Sequence, residues 1–286
     1  MMRYAKWAVV VVAVVAAATV GGQPFPEDTN EIRTLTVKQA QDLAQREGML
    51  YLNGLTSLSP DVADAIAKHK CMFSSRSPYT RALHLDGLTS ITPETADALA
   101  RHEGGLSLNS LNAITPTAAR SLAKCDGLLS LDGFSSITPE VAGALAEHKD
   151  NLQLNGLTEI TSDVARELAE RHGVLSLNGL TSISPEVAEA LAEHTGSLSI
   201  TRLETVSDSA AEALAKHKGR LFLRGLETLS DPAAKALANH KGDLYLLGLK
   251  TLSDDAAGAL RTNPRVRLPR QWRTIEKEHQ PMPEVK

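Results

Sequence analysis

Leucines and alanines return along this chain at fixed distances. From Leu175 to His194 it reads Leu-Ser-Leu-Asn-Gly-Leu-Thr-Ser-Ile-Ser-Pro-Glu-Val-Ala-Glu-Ala-Leu-Ala-Glu-His, and the same apolar and polar positions recur along almost the whole sequence. The leading leucine stands at Leu50, Leu83, Leu106, Leu129, Leu152, Leu175, Leu198, Leu221 and Leu244, so every interval is 23 residues except the first, which is 33. Leu175 and Leu177 alternate with Ser176 and Asn178, the period of an extended chain whose leucines enter a core. Gly179 predicts a turn, and Leu180 and Ile183 bring the chain back over the core. Ser184-Pro185-Glu186, like Thr92-Pro93-Glu94 and Thr138-Pro139-Glu140, is a helix start: a hydroxyl at the N-cap, proline at the first helical position and a carboxylate that the helix dipole favours. Ala188, Leu191 and Ala192 follow at i, i+3 and i+4, one narrow apolar stripe. Because the stripe is mostly alanine, the helix can lie close on the strand layer.

One such unit cannot bury its apolar side alone, so neighbours must stack. Strands about 4.8 Å apart then form one parallel sheet, and the bulkier helices on the other side force the array to curve. The repeated Leu-x-Leu-x-Gly-Leu-x-x-Ile-Thr/Ser-Pro-Glu-x-Ala-x-Ala-Leu-Ala resembles bacterial leucine-rich-repeat proteins. Its Ala-x-Ala-Leu-Ala half is similar to the GALA and ribonuclease-inhibitor types and to repeats of planctomycete exported proteins. The resemblance covers Leu35 to Leu268 and implies an α/β leucine-rich-repeat solenoid, with parallel strands on the concave face and helices on the convex face. One departure is visible: leucine or phenylalanine, at Leu88, Phe134 and Leu180, replaces the asparagine ladder common in this class. No F-box-like segment precedes the array, so the ubiquitin-ligase-adaptor role of GALA effectors is not implied.

The ends differ from the array. Arg3 and Lys6 precede a run from Trp7 to Val20 that is apolar apart from Thr19, and Val20-Gly21-Gly22 offers small residues before Gln23. This is the layout of a secretory signal peptide over residues 1–22. A retained membrane anchor is the alternative, although a span needs about 20 apolar residues. Residues 23–34 read as a flexible lead. Leu35, Thr36, Ala40, Leu43 and Ala44 match the helical half of the repeat and form a half-unit cap. The solenoid then runs over residues 35–270: the cap, nine units and a terminal strand at Val266-Arg267-Leu268. Residues 271–286, polar and proline-bearing, read as a disordered tail.

Aromatic residues make up only 3% of the 286 residues, so aliphatic layers build the core. The net charge of −4 conceals a gradient, because Arg261 to Lys286 carries +4 and residues 23–260 carry −10. An acidic body lacks the basic stripe a nucleic-acid binder needs. No nucleophile elbow, His-Glu-x-x-His, phosphate-cradling glycine loop or paired-cysteine zinc motif is present, which leaves no cofactor and no enzymatic reaction to assign.

Histidines end the helices at His69, His102, His148, His194, His217 and His240, with His172 displaced by one and Cys125 in an equivalent place. Stacking would bring His194, His217 and His240 near one another, as a metal site requires. The competing account places each histidine on the last carbonyls of its own helix, and no metal is assigned. Cys71 and Cys125 lie two units apart, about 10 Å by strand spacing, too far for a bridge unless the insertion folds back; they are expected as free thiols.

Two surfaces are candidates for a protein partner. The ten-residue departure from the period, an insertion spanning residues 70–82, holds Phe73, Arg76, Tyr79 and Arg81; it reads as a binding loop or as a tolerated bulge. The second candidate lies on the concave face. Outward positions in the middle of the array are small and polar, whereas Phe222, Arg224, Tyr245, Leu247 and Arg267 gather at its C-terminal end, joined by Arg202 and Arg220. Aromatics and arginines dominate interface energies. The expected function is a non-enzymatic interaction module of the cell envelope or exterior. The alternative is a structural or surface-layer repeat protein without a discrete ligand site, and a membrane association follows only if residues 7–20 are retained.

Overall fold

The computed structural model describes residues 19–20, 23–24, 28–46, 48–70 and 82–273. A two-residue antiparallel pair, β1 (Thr19–Val20) with β2 (Gln23–Pro24), straddles the position read as the cleavage point. The body of the protein is a single ten-stranded parallel sheet in strict sequence order. Its strands are β3 (Leu50–Tyr51), β4 (Leu83–His84), β5 (Leu106–Ser107), β6 (Leu128–Ser130), β7 (Asn151–Gln153), β8 (Val174–Ser176), β9 (Ser197–Ser199), β10 (Leu221–Phe222), β11 (Leu244–Tyr245) and β12 (Val266–Arg267).

Helix α1 (Val37–Ala44) precedes β3. One helix follows each strand as far as β11: α2 (Pro60–Ala67), α3 (Pro93–Leu99), α4 (Pro116–Leu122), α5 (Pro139–Ala146), α6 (Ser162–Ala169), α7 (Pro185–Ala192), α8 (Asp208–Ala215), α9 (Asp231–Leu237) and α10 (Asp254–Arg261).

Register follows the leucines. Leu152 faces Leu175 across β7 and β8, Leu175 faces Leu198, and Leu221 faces Leu244. Leu50 faces Leu83 as well, so the insertion between them leaves the sheet unbroken. The three leucines of a unit, such as Leu175, Leu177 and Leu180, are fully buried. A leucine shortened to alanine at such a site costs about 2–5 kcal/mol.

The helix starts are capped as the sequence dictates. Ser184 Oγ accepts the Val187 N–H, and Ser59, Thr92, Thr115 and Thr138 accept the corresponding N–H of their own helices. Thr36 and Gln39 form a reciprocal capping box at α1, which closes two of the donors a helix start leaves open.

Gly179 serves a different purpose from the one its turn position implies. Its φ is not positive; only Gly48, Gly127 and Gly173 among the described residues are. A Cβ at Gly179 would stand 2.3 Å from both the Asn155 and Leu157 carbonyl oxygens, so the glycine is needed because successive turns approach backbone to backbone.

Both ends are built further than the boundaries read from the sequence. Before residue 35, Thr29–Glu31 forms a 3-10 turn, Ile32 is buried, and Thr29 Oγ1 donates to the Tyr51 carbonyl at 2.5 Å beside the edge strand β3. After residue 270 the chain makes another 3-10 turn over Arg270–Trp272, and Trp272 packs on the core while Arg261 Nε donates to its carbonyl at 2.9 Å. The lead and the start of the tail therefore act as caps on the two open ends, which a solenoid must cover.

Candidate functional site

The concave face is lined by the outward side chains of the strands, and most of these are already engaged. Asn155 Oδ1 accepts the Ser176 hydroxyl at 2.7 Å and the Asn178 N–H, one turn further on, at 3.0 Å. The same link repeats at every turn from Asn30 to Thr201. Asn53 N–H meets Asn30, Asp86 meets Asn53, Asn109 meets Asp86, Asp132 meets Asn109, Asn155 meets Asp132 and Thr201 meets Asn178. These residues form a side-chain ladder of their own. It stands two positions before the buried Leu88, Phe134 and Leu180 that fill the usual asparagine place. A polar residue recurring after each strand is the signal in the sequence that these side chains bond to one another.

The C-terminal end is different. Phe222 and Tyr245 are neighbours across β10 and β11, their rings stacked with centroids 4.5 Å apart and planes 15° from parallel. The Arg224 guanidinium lies 5.4 Å from the Phe222 centroid and 5.8 Å from that of Tyr245. Leu247 is 41% exposed and Arg267, next in register after Tyr245, is exposed too. Arg220 is drawn to Asp243 at 3.7 Å. Arg202 is exposed in the turn after β9. Phe222, Tyr245 and Arg224 thus make one cluster, with Arg267 beside Tyr245 in register. Phe73, Arg76, Tyr79 and Arg81 of the insertion lie outside the described residues, as does Cys71.

A second ring pair stands at the opposite end: Tyr51 and His84 stack at 4.5 Å, and His84 Nδ1 lies 3.9 Å from Asp86. On the convex side, a groove of about 860 Å³ beside Val37, Pro60 and Pro93 is crossed by Arg101, which bonds Asp64 and Asp97 at 2.8 Å each. Two of its four acids, Asp64 and Asp97, are thus paired from within.

The histidines form a buried column along the array. His194, His217 and His240 stack at 5.9 and 6.0 Å with planes 13° and 12° apart. Zinc needs nitrogens about 2.0–2.1 Å from one centre, a convergence that parallel rings one repeat apart do not provide. The bonds run to the preceding turn: His102 Nδ1–H reaches the Ala67 carbonyl at 3.1 Å, and His240 Nε2–H reaches that of Gly219 at 3.1 Å. His102, His148 and His240 thus knit turns together rather than capping their own helices. Where the period would place another histidine stands Arg171, 1% exposed, whose Nη2 donates to the carbonyls of His148 and Asp150. Asn263 ends the column, its Nδ2 donating to the Ala238 and His240 carbonyls at 2.9 and 2.8 Å.

Burial lowers the basicity of His69, His148, His194, His217 and His240, and takes His217 down to about 4 with its histidine neighbours helping. Burial likewise pushes the Cys125 thiol up to about 12, which removes it as a nucleophile. Among the described residues no group of three or more His, Cys, Asp or Glu could hold a metal, and no helix is long and apolar enough to cross a membrane.

No family model matches the chain, and no curated protein does. Solved structures are similar to it. The Toll–Spätzle complex of Drosophila aligns with a TM-score of 0.52 at 15% identity, over 84% of this chain and 35% of that one. A leucine-rich-repeat protein of Leptospira interrogans aligns at 0.40 and 15% over 83% of this chain and 70% of that chain, and an internalin of Listeria monocytogenes at 0.26 and 11% over 82% and 89%. This chain spans about a third of the first neighbour's length. With one parallel sheet, a helix returning behind each strand and this likeness, the protein is a leucine-rich-repeat solenoid. At such identities the kinship is one of fold.

Proposed function

We propose that the chain is a non-enzymatic protein-interaction module of the cell envelope or exterior, which docks a partner of acidic, partly apolar surface on the C-terminal end of its concave sheet. The observation that carries this reading is the partly exposed Phe222, Tyr245 and Arg224 cluster, on a face whose polar side chains from Asn30 to Asn178 are engaged in the ladder. Stacked rings with a guanidinium beside them combine large contact area with little side-chain freedom to lose, the properties of residues that dominate binding energies. Arg224, Arg267 and the nearby Arg202 give this end a positive charge on an otherwise acidic body, which steers an acidic partner to it. The solenoid itself supports the reading, since stacked units offer a long rigid surface. Export rests on Arg3, Lys6 and the apolar run after them.

A pull-down from envelope extract with the full chain tests the reading. A stoichiometric protein partner is expected, and Tyr245→Ala and Arg224→Ala each weaken its binding by about 1–3 kcal/mol. Recovery of large self-assemblies alone would favour a surface-layer component. Unchanged affinity in both variants, with the fold intact, would move the site to the insertion around Phe73 and Tyr79.

A further inference from the structure

The side-chain ladder of the concave face stops at the docking cluster. Its last link is Asn178 Oδ1 accepting the Thr201 N–H at 2.9 Å. The next two links would need an acceptor reaching from residue 201 to the Arg224 N–H and from residue 224 to the Leu247 N–H. Those positions hold Thr201, whose hydroxyl takes no part, and Arg224, which has donors only. Neither the Arg224 nor the Leu247 N–H meets an acceptor among the described residues. One turn further the ladder position is Pro269, which has no N–H to satisfy. Two backbone donors therefore remain open on successive turns.

They open toward the docking side. In the intact part of the ladder one oxygen serves both the backbone N–H and the outward hydroxyl of the strand before it, as Asn155 Oδ1 does for Asn178 and Ser176. The acceptor of such an N–H thus sits level with the outward side chains of the sheet. At turn 224 the outward side chain is Phe222 and at turn 247 it is Tyr245, the two stacked rings. At the Tyr51 and His84 pair the ladder is complete, because the Asp86 N–H is taken by Asn53 at 2.9 Å. Ring stacking and open amides coincide at the C-terminal end alone among the described residues.

We infer that this end reads a carboxylate: an Asp or Glu side chain on an extended, apolar-flanked segment of the partner supplies the ladder oxygen that Thr201 and Arg224 cannot. One carboxylate oxygen accepts the Arg224 N–H in the manner of an asparagine Oδ1. The other is left for the Arg224 guanidinium, a charge-assisted contact stronger than a neutral one. Apolar residues beside the acid cover the Phe222 and Tyr245 rings and Leu247. A neutral amide satisfies the N–H but leaves the guanidinium unmatched, so charge as well as shape is selected. This inference rests on the docking surface proposed above.

The test uses amide-resolved NMR on the full chain with two blocked pentapeptides, Ala-Leu-Asp-Leu-Ala and its Asn counterpart, at millimolar concentration. The Asp peptide is expected to shift the Arg224 amide proton downfield and to bind roughly tenfold tighter than the Asn peptide. In the free protein these two amides exchange with deuterium roughly tenfold or more faster than those of Asn109, Asn155 and Asn178, which the ladder protects. Thr201→Asn, the residue the ladder uses at Asn178, restores the acceptor; it is expected to slow exchange at Arg224 and to abolish the Asp preference while Phe222 and Tyr245 stay in place. Equal binding of both peptides, with ring resonances moving and the Arg224 amide still, would overturn the carboxylate reading and leave the docking surface standing. No movement of any patch resonance with either peptide would overturn both. Equal shifts with inorganic phosphate would show a response to charge alone and overturn the carboxylate assignment.

Discussion

The buried histidine column makes the stability of this protein depend on pH in a calculable way. His194, His217 and His240 are fully or almost fully buried and stacked about one repeat apart. Arg171 lies on the His194 side and Asp243 beside His240. The folded-state pKa of His217 is about 4 against an ordinary 6.5. A depressed histidine pKa means that the unfolded chain binds the proton more readily, so stability is full above about 6.5 and falls as the pH drops toward 4. At about 1.4 kcal/mol per pKa unit, the shift at His217 corresponds to about 3 kcal/mol lost by pH 4. His194, His240, His148 and His69 shift in the same direction and add to the loss. Exposed carboxylates such as Asp64, held below the usual range mainly by Lys68, contribute only at still lower pH. The interval from 6.5 to 4.5 therefore belongs to the histidines. Urea unfolding at pH 7.5, 6.0, 5.0 and 4.5 measures the loss, with His217→Asn as the control. Asparagine already occupies this column at Asn263, donating to two carbonyls, so it preserves a donor and removes the titration. The variant is expected to lose stability less steeply than the parent over this interval. Parallel curves for the two proteins would refute the assignment of the pH dependence to the column.

Three further outcomes follow from the same contacts. Asn155→Ala removes the acceptor of the Ser176 hydroxyl and the Asn178 N–H, and is expected to cost about 1–3 kcal/mol in urea unfolding. Arg171→His removes a buried guanidinium whose Nε and Nη1 find no acceptor and renews the ring stacking between His148 and His194; a gain of about 1–3 kcal/mol in thermal stability is expected, and a lowered melting point would contradict the column as described. Gly179→Ala places a methyl 2.3 Å from two backbone oxygens, so turns must separate, and calorimetry should show a loss of about 1–3 kcal/mol where the same change at exposed Gly258, with nothing within 4 Å, is neutral or stabilising.

Much of the fold was legible because a repeat states the same rule nine times. Leucines two apart, a hydroxyl before proline and an alanine stripe each have one low-energy use, and the register of the sheet is the period itself. Phe222, Arg224, Tyr245, Leu247 and Arg267, the residues of the proposed docking surface, were legible as outward, large and out of keeping with the serines before them. The polar ladder and the histidine column were not, although their residues were noticed. Each depends on which atom of one turn faces which atom of the next, and a sequence read unit by unit shows recurrence without showing the partner. The same applies at the ends: Ile32 and Trp272 belong to the core only because open edges must be covered.

The sequence by itself determined the period, the strand and helix in each unit and the layered aliphatic core, because those follow from side-chain alternation and capping within about twenty residues. Tertiary stacking decided the rest. It made the turn glycine a spacer between backbones as well, turned His102, His148 and His240 into bonds from one turn to the next, and linked the polar side chains of the concave face from Asn30 to Thr201. Two amides and a pair of rings stay open at one end because the ladder passes through side chains, and the side chains at residues 201 and 224 carry no oxygen that reaches the next turn.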